Sequence, residues 1–205
     1  MNWMSAWGAI LGVLVAQWYR MDFWDPPSIY SFHLWWIYFT VEDFVFGASF
    51  SGIVAVLIPL LLAGGRLEAV PTDQRVNIRN KIFVPVAVIL VSAMSHQLFG
   101  WNSIASTAAG FVVGAIIMCC LRPDLFLSAL GGGFLTTLTL IVLVDVFIIG
   151  AANMSELLHL MCQYCRSARV VYTLDILLVW AFAFGMLFTP LYLFREDVRV
   201  VTREP

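Results

Sequence analysis

The chain has 205 residues, 61% of them hydrophobic and only 12% charged, with a formal net charge of −2. Its mean hydropathy is +0.91. A soluble domain carries about 25% charged residues, so this composition excludes an ordinary water-soluble globule and leaves one integral membrane domain spanning residues 1–205. The 11 basic residues are scattered and form no basic tract, which argues against a nucleic-acid partner.

A helix needs about 20 apolar residues to cross the bilayer core. In chain order the candidates are residues 3–19, 37–62, 82–99, 104–121, 125–149 and 170–194. The predicted fold class is therefore an all-α, polytopic transmembrane helical bundle of about six spans. The first stretch lacks a basic start and a small-residue cleavage site, so it reads as a span rather than a signal peptide. The connection at 64–81 carries Arg66, Arg75, Arg79 and Lys81, Arg122 follows the fourth span, and Arg195, Arg199 and Arg203 lie in the tail. Arg20, Arg166 and Arg169 fall on the other side. Basic residues concentrate in cytoplasmic loops, so the expectation is a cell-membrane protein with both termini in the cytoplasm. Trp18, Trp24, Trp35 and Trp36 then sit at the outer boundary, where amphipathic indoles are common.

An internal parallel repeat is expected between halves at about 1–63 and 125–195. Phe39–Thr40–Val41–Glu42–Asp43–Phe44 aligns with Tyr172–Thr173–Leu174–Asp175–Ile176–Leu177. Continuing without gaps, Gly47 meets Trp180 and Gly52 meets Gly185. The shared pattern is aromatic, Thr, aliphatic, acid, with a glycine ten positions on.

Glu42, Asp43, Asp145 and Asp175 lie within the spans or at their outer ends, with no Lys or Arg expected inside a span to pair with them. An ionised acid in hydrocarbon costs a few kcal/mol, so these side chains reach the interface, share protons or line a polar cavity. Carboxyls that share a dry site can hold protons at ordinary pH. The competing role is helix capping, since acids favour first turns. Tyr38, Phe46, Phe50, Tyr172, Trp180 and Phe182 flank the acids and are the candidate substrate-contact residues.

His159, Cys162 and Cys165 form a His-x-x-Cys-x-x-Cys run on the outer connection, where a disulfide is one outcome. Gly131–Gly132–Gly133 lacks the Lys-Ser/Thr of a phosphate loop and reads as a helix-packing surface, as does Gly110-x-x-x-Gly114. No metal site is expected.

The stretch Val41–Glu42–Asp43–Phe44–Val45–Phe46–Gly47, continuing through Ser51–Gly52–Ile53, resembles the lycopene cyclase domain of the membrane-embedded, flavin-independent type. That family opens a span of each repeat with Pro-x-Glu-Glu or Pro-x-Glu-Asp. Trp180 to Gly185, followed by Pro190–Leu191–Tyr192, resembles the second copy. Thr40 and Thr173 replace the family's prolines, and Asp175 and Ile176 replace the second pair of acids. The resemblance implies ring closure at the end of a linear isoprenoid, started and ended by proton transfer, with no cofactor. It assigns catalysis to Glu42, Asp43, Asp175 and Asp145. The implied partners are a hydrophobic isoprenoid substrate and the lipid bilayer, with a homo- or heterodimer left open. Two alternatives stand beside it: a non-catalytic subunit of a heteromeric cyclase, and a transporter whose acids carry protons or cations.

Overall fold

The computed structural model describes the backbone of residues 2–22, 30–35, 37–45, 47–49, 51, 52, 54, 67–71, 75–150 and 174–200. Among the described residues, six α-helical segments appear in chain order, with a short 3-10 turn at Pro123–Leu125. Helix α1 is Asn2–Asp22. Helix α2 begins at Val41, and its described residues are helical through Val54. Helices α3 (Ile78–Phe99), α4 (Ser103–Leu121), α5 (Phe126–Gly150) and α6 (Leu174–Glu196) follow. Among the described residues, four segments are long and apolar enough to cross a membrane, at Ile78–Phe99, Ser103–Leu121, Pro123–Val142 and Leu178–Glu196.

Burial in this bundle differs from that of a soluble protein: small polar residues join the core while large apolar ones face outward. Ser92, Ser95, Ser103, Ser106, Thr107, Thr136 and Thr189 are buried, while Ile82, Phe83, Ile89, Leu98, Phe134 and Leu138 face outward. In water such a surface would drive association. In lipid the hydrophobic effect does not favour helix against helix, so close packing through small residues holds the bundle instead.

Among the described residues, small residues mark three antiparallel crossings. Gly8 and Gly12 of α1 bear on Gly47 and Ser51 of α2. Gly110 and Gly114 of α4 bear on Val88 and Ser92 of α3, as the Gly-x-x-x-Gly spacing predicts. Gly132 of α5 meets Gly185 and Thr189 of α6, and Gly133 meets Phe182 and Met186. The crossing glycines of α2 and α6 are thus Gly47 and Gly185. The sequence alignment placed Trp180, not a glycine, opposite Gly47. Between α4 and α6 the core is aromatic: Phe184 stacks on Phe188 at 4.1 Å, and Phe111 meets both edge-on at 5.7 and 5.8 Å.

The helix starts and stops have local causes. Asn77 caps α3 by accepting from Arg79 N at 3.0 Å, and Asn102 caps α4 by accepting from Ala105 N at 2.8 Å. Between them Gly100 ends α3 at φ 64°, a left-handed conformation that glycine adopts without a Cβ clash.

The structure is mostly helical, and two short antiparallel strand pairs add to the expected helices. Strands β1 (Ser31–Leu34) and β2 (Ile37–Thr40) pair as a hairpin, with Ser31 opposite Thr40. Residues 37–40, expected to open the second span as helix, are therefore strand. Phe32, His33, Tyr38 and Phe39 suit a pleated ribbon: Phe32 stacks on Phe39 at 5.1 Å, and His33 lies 4.8 Å from the Tyr38 ring. Strands β3 (Leu67–Ala69) and β4 (Val198–Val200) pair at the opposite end of the bundle. There Lys81 Nζ donates to the Arg195 carbonyl at 2.7 Å and to Asp197 Oδ2 at 2.6 Å. Arg122 donates to Asp124 and to the carbonyls of Leu193 and Val198, both at 3.2 Å. Of the basic residues grouped by charge, Lys81, Arg122, Arg195 and Arg199 lie together at this end, and Arg66 and Arg203 fall outside the described residues.

Candidate functional site

The other end of the bundle carries the candidate site, and α1 organises it. Arg20, placed by sequence on an outer connection, lies in the last turn of α1 and is 8% exposed. Its Nη2 forms an ion pair with Asp43 Oδ2. Nη1 donates to the Tyr38 carbonyl at 3.0 Å, and Nη2 donates to Thr40 Oγ1 at 3.4 Å. The guanidinium carbon stands 4.7 Å over the Tyr38 ring, a cation–π geometry. The expectation that no basic side chain would meet the acids is therefore corrected. A planar fork with several donors can serve a carboxylate, a carbonyl and an aromatic face at once.

Gln17, one turn earlier, completes the grip. Its amide nitrogen donates to the Tyr38 carbonyl at 2.7 Å, and its amide oxygen accepts from Tyr38 N at 3.0 Å. The side chain thus supplies the two hydrogen bonds a neighbouring strand would make to Tyr38. In an apolar surrounding, an unsatisfied backbone group costs several kcal/mol.

Thr40, where the resembled family has proline, is buried and caps α2: its Oγ1 accepts from Asp43 N at 3.1 Å. Threonine as an N-cap and proline at a first turn both start helices, by different means. Glu42 is the second residue of α2, about 100° around the helix from Asp43. It is half-buried, and its Oε2 is sealed from solvent.

A second chain of hydrogen bonds leaves α1 on another face. Trp180 Nε1 donates to Tyr19 OH at 2.8 Å, and Tyr19 OH lies 2.8 Å from Thr107 Oγ1. Thr107 Oγ1 donates to the carbonyl of Ser103 at 2.9 Å or of Ile104 at 3.0 Å. Carbonyls accept only, so the threonine proton is directed there and the phenol donates to Thr107. Adjacent residues Tyr19 and Arg20 thereby tie α1 to α4 and α6 on one side, and to β2 and α2 on the other.

Of the residues singled out by sequence, Tyr38, Glu42 and Asp43 come together at this end, with Trp180 joined through Tyr19. Phe182 does not join them: it faces α5, where it meets Phe134 edge-on at 5.2 Å and packs on Gly133. Residues 180 and 182 project about 200° apart on one helix, so they cannot share a wall. Asp145 lies near the C-terminal end of α5 and Asp175 in the first turn of α6, and the side chains of both fall outside the described residues. Phe46, Phe50 and Tyr172 also fall outside them, as does the run from His159 to Cys165. Sequence reading missed Gln17, Tyr19, Arg20 and Thr107. The available signal was the polar pair Gln17 and Arg20, three apart and so on one face of an otherwise apolar helix.

No protein-family model matches this chain, and neither a curated protein nor a solved structure is similar to it.

Proposed function

We propose that this chain is a six-span membrane protein with both termini in the cytoplasm, whose outer end performs proton-initiated ring closure on a hydrophobic isoprenoid. The observation that carries the reading is the division of labour between two adjacent acids. Asp43 is held by Arg20, and the neighbouring Glu42 keeps one carboxylate oxygen sealed from solvent. The sequence resemblance adds the substrate class, because Glu42 and Asp43 stand where the family's paired acids stand.

In the proposed step the Glu42 O–H bond breaks and its proton adds to a terminal alkene. The resulting cation is attacked by an internal double bond, which forms the ring C–C bond. A neighbouring carbon then loses a proton to a carboxylate, for which Asp175 at the start of α6 is the candidate. One proton enters and one leaves, so no redox partner is needed. Positioned acid–base catalysis of this kind contributes about 10²–10⁴-fold. Aromatic faces near a passing cation add about 0.5–2 kcal/mol each.

The test is expression in cells that accumulate lycopene, with pigments followed by chromatography. The reading expects a ring-closed product that disappears in Glu42→Gln and falls in Asp175→Asn. Absence of product from native protein shown to be in the membrane fraction, or product that survives Glu42→Gln, rules it out.

A further inference from the structure

We propose that an apolar groove along α4 is a binding site for one linear isoprenoid chain, reached sideways from the bilayer. The site uses neither Glu42 nor Asp43, and it stands whether or not ring closure follows.

The groove has a volume of about 530 Å³ and lies between α4 and Val179 of α6. Ala105, Ala108 and Ala109 line its length, with Trp101 and Val113 furthest apart along the chain, and every lining side chain is apolar or aromatic. Gly110 and Gly114, on another face of α4, are covered by α3, whereas Ala105 and Ala109 stay half-buried and border the groove. The stretch from Trp101 to Val113 runs about 18 Å at a helical rise, so 530 Å³ leaves a cross-section of about 30 Å², the girth of a single hydrocarbon chain. Ala105, Ala109 and Val113 follow at four-residue steps and form one row on the helix surface. The two alanines leave hollows one turn apart, about 5.4 Å. A linear isoprenoid carries a methyl branch on every fourth carbon of its chain, a repeat close to that turn when the chain is extended. Successive methyls therefore enter successive hollows, which a straight acyl chain leaves empty.

The walls are set before a ligand arrives, as in most small-molecule sites. Thr107, next to Ala108, and Trp180, next to Val179, are joined through Tyr19 OH at 2.8 Å on each side. On the core side Phe111 meets Trp180 at 6.3 Å and Phe184 at 5.7 Å, which fixes α4 against α6. The carbonyl of Trp101 lies 2.7 Å from His96 Nδ1 and accepts from Ser106 Oγ at 3.3 Å, while Trp101 itself stays 47% exposed.

The probe is geranylgeraniol carrying a photoreactive diazirine, applied to the full chain in lipid nanodiscs, with adducts located by mass spectrometry. Adducts are expected on residues 101–113 and at Val179. Unlabelled geranylgeraniol should compete for them, and hexadecanol, a straight chain of the same backbone length, should not. Ala109→Phe fills the groove and should lower labelling about tenfold, the contact of one buried apolar side chain. Ile116→Phe, exposed on the same helix beyond the groove, should leave labelling unchanged. The proposal is overturned by the absence of groove adducts, by labelling that survives Ala109→Phe, or by equal losses in both variants. Equal competition by hexadecanol also overturns it and marks the groove as ordinary lipid-facing surface. If Ala109→Phe fails to assemble, competition in the native protein decides alone. Seated isoprenoid without a ring-closed product would remove the ring-closure reading and leave this site. Ring-closed product without groove adducts would do the reverse.

Discussion

The backbone carbonyl of Gly8 in α1 occupies the space in which a side chain on Gly47 of α2 would begin. This contact brings two helices together with no side chain between them, in a medium where packing replaces the hydrophobic effect as the cohesive force. Gly47→Ala is expected to destabilise the protein by about 1–3 kcal/mol, the usual cost of overpacking a tight contact. Gly100→Ala should cost about 1–2 kcal/mol for a different reason, since nothing lies within 4 Å of that position and only its φ of 64° resists a Cβ. Unfolding in mixed detergent micelles measures both. The two mechanisms separate on a second substitution: Gly47→Leu should prevent assembly, whereas Gly100→Asn should be nearly neutral.

Tyr19→Phe keeps the ring and removes the phenol that links Trp180 to Thr107. Interhelical hydrogen bonds inside membranes average about 0.6 kcal/mol and reach about 1.7, so a loss near the upper end is expected for a group that serves two partners. The indole of Trp180 should respond as well, with a shift in tryptophan emission that Trp180→Phe abolishes. Equal stability and unchanged emission would show that the chain does not bind the three helices.

Arg122 is 3% exposed and donates to Asp124 and to the carbonyls of Leu193 and Val198. Asp124 is 46% exposed and stays solvated without its partner, so the cost falls on the Leu193 and Val198 carbonyls that lose a donor, about 1–3 kcal/mol. Arg122→Met should be destabilising by about that amount. Arg122→Lys should recover only part of the loss, for want of the guanidinium fork. Hydrogen exchange at Val198–Val200 is the specific readout: protection there should fall before that of α4, because β4 loses its anchor first.

Trp35 sits at φ 57° in the turn between β1 and β2 and is 91% exposed. In the proposed six-span arrangement this hairpin would lie at the outer boundary, where an indole rests among lipid headgroups. The emission lost in Trp35→Phe should be quenched by lipids brominated near the headgroup end of the acyl chain. It should be quenched less by lipids brominated near the chain terminus. Emission that no brominated lipid quenches would place the hairpin in water or against another protein.

The span of Ser103–Leu121 was legible almost to the residue, because a long apolar run bounded by Asn102 and Arg122 has few alternatives to a helix. Gly110, Gly114 and Gly132 announced close crossings through their spacing and their apolar surroundings, and the contacts with Val88, Ser92 and Gly185 follow. Residues 37–40 were misread because Ile37–Tyr38–Phe39–Thr40 is apolar enough to extend a span. β-branched and aromatic residues serve strand and membrane helix alike, and only the pairing with Ser31–Leu34 separates them. The acids Glu42 and Asp43 were legible as a candidate site, but the partner of Asp43 was not. Arg20 lies 23 positions away, in a stretch that hydropathy assigns to a loop.

Composition by itself determined that this chain belongs in a bilayer: with so few charges, no arrangement of its side chains could cover its apolar surface in water. Periodicity and spacing determined where small residues recur along the helices, because both are local properties. Only the tertiary structure decided what holds Asp43, since that depends on α1 bringing Gln17, Tyr19 and Arg20 to bear on elements far along the chain. A buried ion pair is a relation between distant residues, and hydropathy records each residue alone.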